Sequence, residues 1–559
     1  MSNVRLSDFI KAYDVRGLVP EQLSPAVARA IGMAFADVVV AERGDQAGVV
    51  IGYDMRPSSP ELADAFAQGV ACRGHDVTVI GLCSTDGLYY ASGALDQAGA
   101  MFTASHNPAE YNGIKLCRPG AAPVGQDSGL AELTTVAQGL LEDGLALPDA
   151  GPTPQRAAGT ISHRPMLGEY AQYLNGLVDL RTSRPLRVVV DAGNGMAGLT
   201  VPAVLGDLPL TVIPMYFELD GTFPNHEANP LDPANLVDLQ RAVVEHRADL
   251  GLAFDGDADR CFVVDERGRP VSPSAITALV ATREIAKHVA QGGDPGQVSI
   301  VYNVISSAAV PQIVAEHGAR AVRTRVGHSF IKARMAQEQA VFGGEHSAHY
   351  YFREFWYADT GMLAALHVLA ALGEQDGSLS ELVAAFARFV ASGEINSRVA
   401  HVDRALTEVR AWAQAASADV DALDGLTVTG RDEPMWWFNV RPSNTEPLLR
   451  LNVEAADQDT MERIRDSVLG IIRAGQADHQ GEAVEPPMGA ALPDWLREIL
   501  VCPAGRHPLA DAVGPGGVPE LVCTQDCGAA GVRRGYRIED GIPILLLDEA
   551  RLIEHPESE

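Results

Sequence analysis

The amino-acid sequence predicts an α/β protein: three similar mixed α/β domains, a smaller α+β fourth domain and a compact tail. Three observations carry this expectation. The first is a repeat. VVIGYDMRPSSPELADAF from Val49, RVVVDAGNGMAGLTVPAV from Arg187 and SIVYNVISSAAVPQIVAEH from Ser299 each run from β-branched residues to an Asp or Asn, a turn of small residues and a helical period. Strand, turn and helix recurring far apart along the chain predict three α/β units with mainly parallel sheets. The second is a change of texture after Glu374, where a helical stretch (LSELVAAFARFV) leads to short strands (LTVTG, WWFNVRPS) and a polar helix near MERIRDSVLGIIRAG. The third is the stretch at 475–493, in which Pro, Gly, Ala and acids follow one another without periodicity, as in a linker. The expected boundaries are 1–155, 156–265, 266–374 and 375–474 for the four domains, 475–493 for the linker and 494–555 for the tail.

Length and charge narrow the class. A chain of 559 residues exceeds what one hydrophobic core supports, and 47% hydrophobic with 21% charged residues is the balance of a soluble globular enzyme. Lys and Arg number 43 against 73 Asp and Glu, a formal charge of −30, which argues against a general nucleic-acid or anionic-membrane surface. Any anionic ligand must then meet a local positive cleft. The N-terminal MSNVRLSDFIKAYDVRG carries no apolar signal region, and no later run reaches the roughly 18 apolar residues of a spanning helix, so a cytoplasmic location is expected. Seven cysteines in a chain this long form no disulfide framework; Cys72, Cys83, Cys117 and Cys261 lie in apolar segments and read as core thiols.

In FTASHNPAEYNGIK, residues 102–115, Ser105 beside His106 suggests a nucleophile with its base. Neighbouring residues of an extended segment point apart, so His106 is expected to be badly placed, and TASHNP is no nucleophile elbow. In GLAFDGDADRCFVVDERGRPV, an apolar strand runs into Asp255, Asp257 and Asp259 at alternate positions. That spacing puts three carboxylates on one side, where a hard cation offsets their repulsion, and oxygen-only ligands suit Mg²⁺. An EF-hand is excluded, because Arg260 stands where that loop needs Gly and the flanks read as strands. Arg260 is placed to hold a phosphoryl group beside the ion.

VVVDAGNGMAG contains G-x-G-x-x-G at Gly193, Gly195 and Gly198, which reads either as a dinucleotide fingerprint or, more simply, as a structural turn. RPSNTEPLLR packs Arg441, Ser443, Asn444 and Thr445 into one turn, a donor set suited to a phosphate monoester. GGEHSAHYYF places Glu345, Ser347 and His349 at alternate spacing, with His346 and Ala348 facing away; a carboxylate beside a hydroxyl suits sugar recognition and His349 can move a proton. Beside a Mg²⁺ loop and a phosphate loop, Ser105 is best explained as the carrier of a phosphoryl group, with proton transfer falling to Lys115, His349 or His328.

Together TASHNP, DGDADR, GEHSAH and RPSNTEP resemble the α-D-phosphohexomutase superfamily, most closely its phosphomannomutase/phosphoglucomutase branch, over about residues 8–470. The resemblance implies four domains around a central cleft, a phosphorylated Ser105, and Mg²⁺ held by Asp255, Asp257, Asp259 and that phosphoserine. It implies further that Lys11 and Arg16 of KAYDVRG line the cleft, that Arg325 and His328 of RVGH contact substrate, that Lys115 and His349 are the acid/base candidates, and that the Gly-rich turn is framework. Ala348 departs from the Gly more common in the sugar loop. The Asn of RPSNTEP and the Tyr of AEYNGIK match the mannose/glucose branch. The implied activity interconverts mannose 6-phosphate and mannose 1-phosphate through a hexose 1,6-bisphosphate, with the glucose phosphates, or more distantly glucosamine phosphates, as alternatives. A monomer or dimer is expected.

The tail, with LREILVCPAGRHPL, ELVCTQDCG and YRIEDGIPILLLDEAR, resembles the Trm112-like zinc-ribbon family over about residues 494–551. Gly505 stands where a four-cysteine site needs its fourth thiol. Cys502, Cys523 and Cys527 with His507 make a Cys₃His zinc site, or else the knuckle is metal-free and serves a protein partner.

Overall fold

The structure, a computed structural model, describes residues 4–11, 14–44, 47–145, 157–399, 401–431, 433–443, 448–477, 500–514, 519–527, 532–539, 542–545, 547 and 550–554. The chain divides into two compact units, Met1–Ile472 and Arg473–Glu559.

Among the described residues the first unit holds four sheets. Each strand that opens a repeat lies between two parallel neighbours: Val49–Tyr53 between Val77–Leu82 and Ala98–Phe102, Leu186–Asp191 between Leu210–Met215 and Leu250–Phe254, and Ser299–Asn303 between Arg320–Thr324 and Phe342–Gly344. The helices Ser59–Cys72, Ala197–Leu205 and Ala309–Glu316 follow them. Burial along most of each central strand, on both faces, is what helices on both sides require.

The repeat extends one step beyond what the sequence pattern shows. In every case the last parallel strand turns back antiparallel: Ala98–Phe102 into Tyr111–Arg118, Leu250–Phe254 into Cys261–Asp265, and Phe342–Gly344 into Tyr350–Phe352. The sheets are therefore mixed rather than mainly parallel. The three reversals are residues 103–110, 255–260 and 345–349, so the serine loop, the aspartate loop and the Glu345 loop occupy equivalent places at the carboxyl ends of parallel strands. That is the edge at which open α/β sheets bind ligands.

Two short edge strands fall across the expected boundaries. Ile161–His163 pairs with Val77–Leu82, carrying the first sheet past 155, and Pro270–Val271 pairs with Cys261–Asp265, carrying the second past 265. Such short pieces have no periodicity to announce them. The fourth sheet is wholly antiparallel, in the order Val390–Arg398, Leu448–Ala455, Trp436–Pro442, Leu426–Thr429, Asp419–Asp421. Ala405, Val409, Ile464 and Val468 of the helices Val402–Ala415 and Gln458–Ala477 pack on Phe438 and Leu451 of this sheet. The helix expected over LSELVAAFARFV is shorter: a Ser378/Glu381 capping box starts it, it ends at Ala384, and Val390 already opens a strand.

In the second unit Leu509–Val513, Pro519–Cys523, Val532–Glu539 and Ile542–Pro543 form a sheet, and Arg551–Glu554 joins it. Residues 475–477 of the expected linker are helical and 478–493 lie outside the described residues. Among the described residues no helix is long and apolar enough to cross a membrane.

Candidate active site

The serine loop is wound tightly. Ser105 adopts φ 51°, in the left-handed region, and its N–H donates to Thr103 Oγ1 at 2.9 Å. A fully buried guanidinium holds the loop from behind: Arg56 donates to the carbonyls of Ser105 (3.0 Å), Asn107 (2.7 Å), Pro108 (2.8 Å) and Tyr111 (2.9 Å), with Asp54 as its counter-ion. Arg56 was invisible as a functional residue in YDMRPSS, because its partners lie some fifty positions away. The left-handed turn also overturns one expectation. His106 does not point away from Ser105; its Nδ1 lies 3.1 Å from Ser105 Oγ. That nitrogen already accepts from Arg260 Nη2 at 2.7 Å, and burial together with the Arg260 charge pushes the His106 pKa down to about 2. The Ser105 proton goes instead to Asp255 Oδ2 at 2.9 Å. Proximity is present, but basicity is not.

The aspartate loop approaches so closely that a side chain at Gly256 would collide with the Ser105 carbonyl, and one at Gly195 would collide with Gly256. The Gly-rich turn thus supports the aspartate loop backbone to backbone at Gly195, while a side chain at Gly198 would collide with the Phe217 carbonyl and Gly193 takes φ 51°, which accounts for its glycines without a nucleotide. Arg260 donates from its backbone N–H (3.1 Å) and Nε (2.9 Å) to Asp255, whose carboxyl burial raises to about 7 against that opposing charge. Lys115 Nζ lies 2.6 Å from both Asp257 Oδ2 and Asp259 Oδ2. Burial disfavours the Lys115 charge, yet these two carboxylates outweigh it and hold its pKa well above the usual lysine value. One oxygen from each of the three aspartates falls within 4.8 Å of the others, all three residues are buried, and Asp257 Oδ1 and Asp259 Oδ1 have no hydrogen-bond partner. Bare, converging carboxylate oxygens fit a small hard cation such as Mg²⁺. The turn sits between strands, unlike an EF-hand.

Glu345, Ser347 and His349 meet as their spacing predicts: Ser347 Oγ lies 3.3 Å from Glu345 Oε2 and 3.0 Å from His349 Nδ1. Glu345 is buried and also accepts from Tyr351 OH (3.1 Å), Asn303 Nδ2 (3.3 Å) and the Gly327 N–H (3.2 Å). Ala348 takes φ 65°, the same left-handed kink as Ser105, while His346 turns to Ser274 Oγ at 3.0 Å. An isolated antiparallel bridge joins Arg260 to His349, so the aspartate and Glu345 loops touch, and His349 Nε2 stands 3.7 Å from Asp259 Oδ1. His328 opens the helix His328–Glu338; burial and nearby Lys332 push its pKa down to about 4. Arg325 is exposed and stacks on Phe330, 4.7 Å from the ring centroid.

Arg16 donates to Asp14 Oδ2 at 2.8 Å and to Asn107 Oδ1 at 2.6 Å, which places it against the serine loop. Lys11 is exposed, and its carbonyl accepts from Gln126 Nε2 at 2.9 Å. In the fourth domain Arg441 Nη2 and Arg450 Nη1 both reach Glu394, at 3.0 and 3.2 Å. Glu394 is another residue missed in the sequence, since only strand pairing, which sets it opposite Asn452, brings it within reach of the two arginines. The Ser443 N–H donates to the Leu448 carbonyl, closing the hairpin, while Asn444 and Thr445 lie outside the described residues. In the tail one ligand atom each of Cys502, Cys523 and Cys527 falls within 4.8 Å of the others, and His507 is not in that group. The His507 ring occupies the space beside Gly505 that a side chain there would enter, and Cys502 Sγ lies 3.1 Å from Tyr536 OH instead.

Four phosphoglucomutase/phosphomannomutase family models match the chain: α/β/α domain I over residues 8–139, domain II over 168–268, domain III over 273–389 and the C-terminal domain over 394–471. A protein of Xanthomonas campestris pv. campestris described as phosphohexose mutases is 40% identical over 470 residues, covering 83% of this chain and 98% of its own length. A phosphomannomutase of Escherichia coli is 39% identical over 472 residues, with 83% and 98% covered. A phosphoglucomutase/phosphomannomutase family protein of Burkholderia thailandensis superposes with a TM-score of 0.72 at 30% identity, covering 84% of this chain and 97% of its own.

Proposed function

This chain belongs to the phosphoglucomutase/phosphomannomutase family, and on that premise we propose that it is a phosphomannomutase, an isomerase interconverting mannose 6-phosphate and mannose 1-phosphate. The observation that carries the reading is the meeting of Ser105 Oγ with Asp255 at 2.9 Å, beside two buried aspartate oxygens that lack partners. A hydroxyl that takes and gives a phosphoryl group is thereby set next to a cation site, from loops far apart in sequence.

Phospho-Ser105 donates to the free hydroxyl of a bound hexose monophosphate: the P–O bond to serine breaks, one to the sugar forms, and the product is a hexose 1,6-bisphosphate. After the sugar turns over in the cleft, its other phosphate returns to Ser105. Asp255, Asp257, Asp259 and the phosphoserine would hold Mg²⁺, which when bound would supply charge neutralisation at the transferring group. Arg16 and Arg260 flank that group. Lys115, held charged between two carboxylates, donates a proton to the departing Ser105 Oγ, and His349 takes the proton of the attacking hydroxyl, with Ser347 and Glu345 fixing its Nδ1 side. Glu345 and Ser347 select sugar hydroxyls. Arg441, Ser443, Asn444 and Thr445 grip the phosphate that is not reacting, and Lys11, Arg325 and His328 complete the substrate contacts.

With catalytic hexose 1,6-bisphosphate present, mannose 1-phosphate should show the highest kcat/KM among mannose, glucose and glucosamine 1-phosphates. A clear lead for glucose 1-phosphate transfers the assignment to phosphoglucomutase. Release of inorganic phosphate faster than isomer formation rejects the mutase reading altogether.

For the tail the Trm112-like assignment rests on its sequence resemblance and the three gathered thiols, which suit zinc. Metal analysis of the full chain should find one zinc per chain, lost in Cys523→Ser; a metal-free wild-type chain leaves the tail as a protein-binding knuckle.

A further inference from the structure

The helix Thr85–Leu95 of the first domain begins against the aspartate loop, and its first residues reach both the second and the third domain. Ser84 caps it, accepting from the Gly87 N–H at 3.2 Å. Asp86 accepts hydroxyls from Tyr170 and Thr360, each at 2.7 Å, one from the second domain and one from the third. Between them, Thr85 is fully buried and grips Asp257 twice: its Oγ1 donates to Oδ2 at 2.6 Å, and its N–H donates to the Asp257 carbonyl at 3.0 Å.

The two Asp257 oxygens are consequently unlike. Oδ2 receives both the Thr85 hydroxyl and the Lys115 ammonium, while Oδ1 is buried and bare. A carboxylate turns about its last torsion in a broad, nearly two-fold well, and Lys115 is a flexible donor that can follow either oxygen. The short-stemmed hydroxyl on a helix anchored by Asp86 cannot follow. We propose that Thr85 is a positioning residue for the cation site: it locks the Asp257 carboxylate so that Oδ1 faces the ion, and it makes that alignment depend on the docking of the first domain against the second and third. This rests on the reading of the three aspartates as the Mg²⁺ site.

Calorimetric titration of the full, metal-stripped chain with Mg²⁺ alone tests it. Thr85→Val, isosteric but without the hydroxyl, should bind Mg²⁺ about 10–100-fold more weakly, the usual effect of losing a group that orients a metal ligand. Thr85→Ser, which keeps the hydroxyl, should stay close to wild type. In turnover the Val chain should need more Mg²⁺ for half-maximal rate yet approach the wild-type kcat at saturation, a split that a merely structural role does not produce. If Val fails to fold, Thr85→Ala gives the same reading. Wild-type affinity in the Val and Ala chains overturns the role of Thr85 alone, whereas a wild-type chain that binds no Mg²⁺ overturns the magnesium reading and this inference with it.

Discussion

A Ser105→Ala chain is expected to lose mutase turnover by on the order of 10⁴-fold or more, the scale seen when a group that bonds covalently to substrate is removed. Its fold should survive. Alanine retains the Cβ, so the left-handed backbone at φ 51° is no more strained than before. The hydrogen bond that disappears is the one to Asp255 Oδ2, and that oxygen still accepts from Arg260 Nε at 2.9 Å, which limits the stability loss to about 0.5–1.5 kcal/mol. Intact-mass measurement supplies a second readout: after incubation with hexose 1,6-bisphosphate, wild-type chain should carry one phosphoryl group and the variant none. A variant that keeps full turnover, or still takes up phosphate at the same place, removes Ser105 from the mechanism. The neighbouring histidine offers no rescue, because Arg260 occupies its Nδ1 and keeps the ring neutral.

That histidine shows where sequence reasoning stops. The site residues were legible because each loop packs its chemistry into a few consecutive positions, and alternate spacing brings Glu345, Ser347 and His349 together as the strand period dictates. The same period misled at Ser105, where one positive φ folds adjacent side chains toward each other. The repeat announced the three parallel cores, since β-branched runs before small-residue turns are local signals. It could not announce that each core ends in an antiparallel reversal, nor that the three reversals carry the three loops. Arg56, Thr85 and Glu394 were silent for a related reason. Each is an ordinary residue whose meaning is a hydrogen bond to a distant segment, as with Thr85 and Asp257, 172 positions apart.

Asp257→Asn should lower kcat by about 10³-fold, several kcal/mol of transition-state stabilisation, and should abolish most of the thermal stabilisation that Mg²⁺ confers. The substitution keeps the shape but fixes the wrong polarity. Lys115 and the Thr85 hydroxyl both donate to the Oδ2 position, so the amide must present its carbonyl oxygen there. Its NH₂ group then takes the place of Oδ1, aiming two hydrogens where the cation belongs. A ligand that binds only the folded state stabilises it by about 2.7 kcal/mol at a hundred times its Kd, so wild-type chain melted with and without saturating Mg²⁺ should show a clear rise in Tm. The Asn chain should show little or none, while its Tm in metal-free buffer stays near wild type because Lys115 keeps Asp259 as a partner. An undiminished Mg²⁺-dependent rise, or retained kcat, would mean that the cation is held elsewhere. Loss of both, with the metal-free fold unchanged, locates the ion at the bare oxygen of Asp257 by a measurement that does not depend on which sugar the enzyme prefers.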